Sequence, residues 1–128
     1  LQWVTNKKIK KVFARSVSKI MPSYDVDSED AIFANFEYED GTIGSLGVGW
    51  TIPEYMPSSI NAAIEVIGTK GVLVNDKIAG NLKDEILHFV TSVRDNKEFV
   101  ITVPEALQAV ALNDAILKSV EINDEVNV

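Results

Sequence analysis

Residues 30–51 read DAIFANFEYEDGTIGSLGVGWT, two runs rich in apolar and aromatic residues on either side of Glu39-Asp40-Gly41-Thr42. The pattern is that of one long β-hairpin, and its Asp-Gly pair supplies the positive φ angles that a two-residue type I′ turn needs. Such a turn pairs Tyr38 with Ile43, Phe36 with Ser45, Ala34 with Gly47 and Ile32 with Gly49 on one face. On the other face it pairs Glu37 with Gly44, Asn35 with Leu46, Phe33 with Val48 and Ala31 with Trp50. Both faces then carry large apolar groups, so both are expected to be covered for part of their length. On the first face Ser45, Gly47 and Gly49 oppose bulky partners, leaving a groove where a helix can approach the sheet.

Upstream of the hairpin, Lys11 to Ile20 alternates as a strand, with Val12, Ala14, Ser16 and Ser18 on one side and Phe13, Arg15, Val17 and Lys19 on the other. Met21-Pro22-Ser23 breaks it, and Tyr24 to Glu29 is an acidic connection. Leu1 to Thr5 looks like the last turn of a helix closing at Asn6. A chain that opens on the end of a helix, with no Met, reads as a piece of something longer.

Downstream, Ile52 to Ser59 is a loop bounded by Pro53 and Pro57. Asn61 to Ile67 and Val72 to Asn75 form a second strand pair around Gly68-Thr69-Lys70-Gly71. A helix follows from Leu82 to about Asp95, capped by Asn81, with Ile86, Phe89, Val90 and Val93 beside Leu82 on its apolar face. His88 is expected on the opposite, polar side. A second helix spans Val103 to Val120, with Thr102 and Glu105 at capping-box spacing and Pro104 in its first turn. It is apolar nearly all round, apart from Asp114 and Lys118, so burial on more than one side is expected. Asp124 to Val128 is a candidate final strand. Strands first and helices last, joined by hairpins, predict an α+β fold: a mostly antiparallel, open-faced β-sheet with helices packed on one face.

The totals restrict function. The chain has 128 residues, about one domain's worth, and no cysteine, which excludes disulfides, thiol nucleophiles and zinc-thiolate sites. No apolar run approaches the roughly 20 residues of a membrane span. The expectation is a cytoplasmic protein with neither membrane nor nucleic-acid partner, since a net charge of −7 opposes phosphate-backbone binding. Lys7, Lys8, Lys10, Lys11, Arg15 and Lys19 nevertheless crowd the start, directly before the acidic stretch Asp25 to Asp40. They form either an anion patch or, as we expect, a solvated edge strand paired with those acids.

Few motifs carry chemistry. In Gly44-Ser45-Leu46-Gly47-Val48-Gly49 the third glycine of a dinucleotide fingerprint would fall at Ile52, and a strand running into Pro53 follows instead of a helix. Gly68 to Gly71 lacks P-loop spacing and reads as a turn. His88 is the sole histidine, so no two-histidine metal site exists, and no catalytic relay or carboxylate pair stands out. Catalytic, cofactor-binding and metal-ligating residues are therefore expected to be absent. Trp50, Tyr55 and Met56 cluster where hairpin gives way to loop; they are core and rim packing or an aromatic wall for a small polar ligand.

One family shares these pieces in order and spacing: Asp30-Ala31-Ile32, Phe36 to Leu46, Trp50-Thr51, Glu65 to Gly71, Phe89-Val90 and the alanine-rich helix from Pro104-Glu105-Ala106-Leu107. The chain resembles the C-terminal α+β domain of the glucose–fructose oxidoreductase / inositol dehydrogenase (Gfo/Idh/MocA) family over almost its whole length. The resemblance implies a parent NAD(P)-dependent oxidoreductase acting on a sugar, polyol or related hydroxyl compound. In it an N-terminal Rossmann domain, absent from this chain, holds NAD or NADP, and residues 1–128 form a single substrate and dimerisation domain. The family's catalytic Asp and His precede Leu1, its glycine fingerprint and Glu-Lys-Pro lysine lie further upstream, and Asp76 to Gly80 replaces a usually longer excursion. By this reading the chain alone is inactive. Trp50 and Tyr55 are its candidate substrate-binding residues, and its partners are the Rossmann domain, a small-molecule substrate and a second copy. The second copy would dock on the sheet face bearing Ala31, Phe33, Leu46, Val48 and Trp50. The alternative is a non-catalytic ligand-binding or dimerisation module built on the same sheet.

Overall fold

The computed structural model describes residues 2–56, 62–75 and 82–128. The end of the proline-bounded loop, the Asp76 to Gly80 link and the cap expected at Asn81 lie outside the described residues. In chain order the elements are α1 (Gln2–Thr5), β1 (Ile9–Val17), a 3-10 turn (Met21–Tyr24), β2 (Ala31–Tyr38) and β3 (Ile43–Gly49). Then come β4 (Ile64–Gly68), β5 (Gly71–Asn75), α2 (Leu82–Asp95), α3 (Val103–Ile122) and β6 (Val126–Asn127). The chain forms two compact units, Leu1–Thr51 with Ile101–Val128, and Ile52–Val100.

The first unit is an antiparallel sheet in the order β3-β2-β1-β6, with α3 against one face. The fold is α+β, as the order of elements predicts. The central hairpin forms, but its register differs by one residue from the type I′ expectation. Phe36 pairs with Gly44, Ala34 with Leu46, Phe33 with Gly47 and Ile32 with Val48. The reason lies in the turn. Gly41 alone has a positive φ (82°), and its N–H bonds Tyr38 O at 3.0 Å while Tyr38 N–H bonds Thr42 O at 2.8 Å. That is a three-residue loop, a tight turn followed by one left-handed glycine, which adds a residue to the connection. Because side chains alternate with period two, the slip exchanges the faces of β3. Leu46 and Val48 join the helix side; Ser45, Gly47 and Gly49 lie on the open side, opposite Asn35, Phe33 and Ala31. The glycine groove expected beneath a helix is thus on the other face, where a Cβ on Gly47 would come within 2.7 Å of the Phe33 ring.

β1 alternates as predicted, Val12 and Ala14 pairing with Phe36 and Ala34 on the buried side. It starts two residues earlier than the pattern indicated, because a bulge between Ile9 and Lys11 lets Ile9 pair with Tyr38 and also face the core. The core is Ile9, Val12 and Ala14 from β1, Ala34, Phe36 and Tyr38 from β2, and Ala115 and Ile116 from α3. Ile32, Leu112, Val120 and Val126 pack around it.

β1 is not the edge strand expected of a lysine-rich segment. β6 pairs with Lys11 and Val12, and beyond β6 the N–H of Ala14 is taken at 2.9 Å by Oγ of the fully buried Ser119. Ser119 in turn donates to the carbonyl of Asp124 at 2.6 Å, fixing the end of α3 to the strand it covers. The lysines do pair with acids: Lys7 with Asp40 at 2.7 Å, and Lys11 with Glu37 at 3.4 Å and Glu125 at 3.1 Å. Those bonds raise the Lys11 pKa, Glu125 being the larger influence.

α3 starts where the capping spacing put it. Glu105 Oε2 accepts the Thr102 hydroxyl at 2.6 Å and the Thr102 N–H at 2.7 Å, which lowers the Glu105 pKa. Burial follows one stripe only, through Leu112, Ala115, Ile116 and Ser119, rather than several sides. Val103, Leu107, Val110 and Leu117 form the opposite stripe and are exposed. Lys118 bonds Glu121 at 3.1 Å.

The second unit contains the hairpin β4–β5, with Ile67 opposite Val72 and Gly68 opposite Gly71, so Gly68 to Gly71 is a turn. It also contains α2, whose burial departs from expectation. Leu82, Ile86, Phe89, Val90 and Val93 are exposed, whereas Ser92 is buried and His88 and Thr91 are half-buried. The 96–100 segment folds back beside His88, Phe89 and Ser92.

Candidate functional site

Trp50 follows the last residue of β3, and its backbone is held by one buried residue, Asp30. Trp50 N–H donates to the carbonyl of Asp30 at 2.9 Å, and Asp30 N–H donates to Val17 O at 2.8 Å. The Asp30 side chain, only 4% exposed as a residue, accepts the N–H groups of Lys19 and Met21 at 2.7 Å and of Ile20 at 2.8 Å. Three converging donors favour the charged form, and the Met21 N–H contributes most to holding the Asp30 pKa below its ordinary value. Asp30 thereby joins the exit of β1, the start of β2 and the end of β3. In the sequence it was one acid among seven in an acidic stretch, and its only distinguishing signal was its place directly before a strand.

Trp50 as a residue is 74% exposed. Tyr55, in the second unit, occupies the third position of a turn closed by Met56 N–H on Pro53 O at 3.0 Å, and is 86% exposed. Both residues are thus exposed in this chain.

The first unit also has an open cavity of about 450 Å³ between α1, β3 and the first half of α3. Leu46, Ala109 and Leu112 make its apolar wall; Gln2, Lys8 and Gln108 are among its polar groups. The side-chain oxygen of Gln2 is buried there without a hydrogen-bond partner. The one carboxylate in its lining, Glu105, is engaged with Thr102. No signal in the sequence pointed to this cavity. Nor was the setting of His88 visible: it was expected on the solvated side of α2, yet it is half-buried and its Nε2 accepts the Val100 N–H at 3.2 Å.

Among the described residues, no group of three or more acidic or histidine side chains could hold a metal ion, and no helix is long and apolar enough to cross a membrane. A nicotinamide dinucleotide needs a glycine-rich turn opening a helix, with free N–H groups for its pyrophosphate. Gly44, Gly47 and Gly49 lie in β3, and the first turn of α3 already has the Glu105 carboxylate on the Thr102 N–H. These segments do not fit the cofactor.

Residues 1–74 match the model of the GFO/IDH/MocA C-terminal domain. The chain belongs to that family. Its fold recurs in solved structures. One is GenD2 from gentamicin A biosynthesis in complex with NAD, 20% identical with a TM-score of 0.80 over 98% of this chain and 43% of that one. Another is myo-inositol 2-dehydrogenase from Lactobacillus plantarum, 19% identical with a TM-score of 0.68 over 99% and 44%. A third is the WlbA dehydrogenase from Bordetella pertussis in complex with NADH and UDP-GlcNAcA, 21% identical with a TM-score of 0.72 over 94% and 39%. This GFO/IDH/MocA C-terminal domain thus spans less than half the length of those chains. No curated protein matches the sequence.

Proposed function

We propose that this domain forms the substrate-side wall and the oligomer interface of an NAD(P)-dependent oxidoreductase acting on a sugar, polyol or related hydroxyl compound. The observation that carries this reading is the family match, together with a fold shared over nearly the whole chain with GenD2 in complex with NAD and the WlbA dehydrogenase in complex with NADH. The nicotinamide, held outside this chain, would supply hydride transfer at a carbinol carbon. This domain's part is to bind and orient the substrate.

Trp50 and Tyr55 are the residues assigned to that task. Each presents an aromatic ring to solvent from a fixed backbone position, an arrangement suited to stacking on the apolar face of a sugar or cyclitol. In the full-length enzyme, Tyr55→Ala should raise KM several-fold and leave the Kd for NAD(P) unchanged. Unaltered steady-state constants would remove Tyr55 from the substrate side.

A further inference from the structure

α2 ends at Asp95, and Asn96, with φ 48°, turns the chain back along the helix. Three contacts hold the returning segment. Lys97 N–H donates to Ser92 O at 2.9 Å, the Phe99 ring stacks on Phe89 with centroids 5.8 Å apart, and Val100 N–H donates to His88 Nε2 at 3.2 Å. The Phe99 ring also meets the imidazole edge-on at 6.2 Å. Of these contacts, only the last hydrogen bond depends on a proton. A backbone N–H can only donate, so Nε2 must offer its lone pair and the ring proton must sit on Nδ1. An imidazolium carries N–H on both nitrogens and cannot accept.

We propose that His88 is a pH-sensitive latch, holding the Val100 end of the 96–100 segment to α2 only while its imidazole is neutral. Closing the latch and binding a proton compete for one lone pair. The bond is therefore made by the neutral ring and lost from the protonated one. The ionisable groups around it do not substitute for it. Asp84 and Glu85 precede His88 by one turn on α2, and a carboxylate offers the Val100 N–H no ring nitrogen in place of Nε2. In the last turn, Arg94 bonds Asp95 at 2.7 Å. On the returning segment Lys97 is 3.5 Å from Asp95, and Glu98 is the remaining charge. The Lys97–Ser92 backbone bond and the Phe89–Phe99 stack carry no titrating atom. Acid should thus release the Val100 end, which leads into α3, and leave the Lys97 end in place.

Amide exchange measured by NMR on the intact chain tests this. Corrected for intrinsic rates, Val100 protection should fall roughly fivefold between pH 8 and pH 5, the worth of one modest hydrogen bond, while Lys97 protection stays constant. His88→Gln, which places a non-titrating acceptor near the Nε2 position, should keep Val100 protected at both pH values; His88→Ala should leave it unprotected at both. Wild-type Val100 protection that does not change with pH would overturn the latch. So would a pH dependence that survives in His88→Gln, or a parallel loss at Lys97, which would indicate fraying of the whole end of α2.

Discussion

Lys7 approaches one oxygen of Asp40 to 2.7 Å, and Thr42 donates its N–H to the other at 3.0 Å. The Lys7 ammonium also reaches the Thr42 hydroxyl at 3.0 Å, tying the tip of the hairpin to the segment before β1. These bonds, that from Lys7 foremost, lower the Asp40 pKa from 3.8 to about 2. A carboxylate depressed on folding adds stability that is complete above its unfolded pKa and is lost as pH falls through the folded one. The tip should therefore hold at neutral pH and loosen between about pH 4 and pH 2. An NMR titration of the Asp40 carboxyl checks this: its midpoint should lie near 2 in the wild type and move toward 3.8 in Lys7→Met. The pair was legible in the sequence as a basic run before an acidic one. The partner of each lysine was not, because a charge run carries no register.

At the scale of elements, the joint between β1 and α3 depends on one hydroxyl. Ser119 is fully buried, accepts from Ala14 N–H and donates to Asp124 O. Ser119→Ala would leave the strand N–H buried without an acceptor, at a cost of about 1–3 kcal/mol. Urea unfolding should show that loss with an unchanged m-value, and a change under about 0.5 kcal/mol would mean that water reaches the Ala14 amide. In the sequence Ser119 was an unremarked small residue on a very apolar helix. Its role needs the helix to lie along β1 at a particular height, which periodicity does not specify. The hairpin teaches a similar lesson. Asp-Gly located the turn to the residue, but a two-residue and a three-residue loop both use that pair and differ by one in register.

For the whole molecule, the corrected register alters which side chains the open face presents. Phe33 and Ile43 are exposed there, 67% and 81%, beside exposed Arg15 and half-buried Phe13 from β1, the Arg15 guanidinium lying 5.2 Å from the Phe13 ring centroid. Val48 and Leu46, assigned to that face by the type I′ register, lie on the helix side. If the oligomer forms through the open face, Phe33→Asp should convert a dimer to a monomer at micromolar concentration while circular dichroism stays unchanged. Val48→Asp should leave the dimer intact. Sedimentation velocity distinguishes them, and a dimer that persists in Phe33→Asp would move the interface elsewhere.

The sequence by itself determined the α+β class, the element order, the alternation of β1, the start of α3 and the family. These follow from local signals: alternation, capping residues, Gly and Pro at turns, and the order of motifs along the chain. Only the tertiary structure decided the register of β3, the place of β1 between β2 and β6, the roles of Asp30 and Ser119, and which side of α2 faces its returning segment. Each of these is set by contacts between residues distant in sequence or by the choice between two turns of similar energy. Apolar surface records how much burial a helix favours, not what will cover it. That is why the outer stripe of α3 and the apolar face of α2, both read as sites of burial, are exposed in this chain.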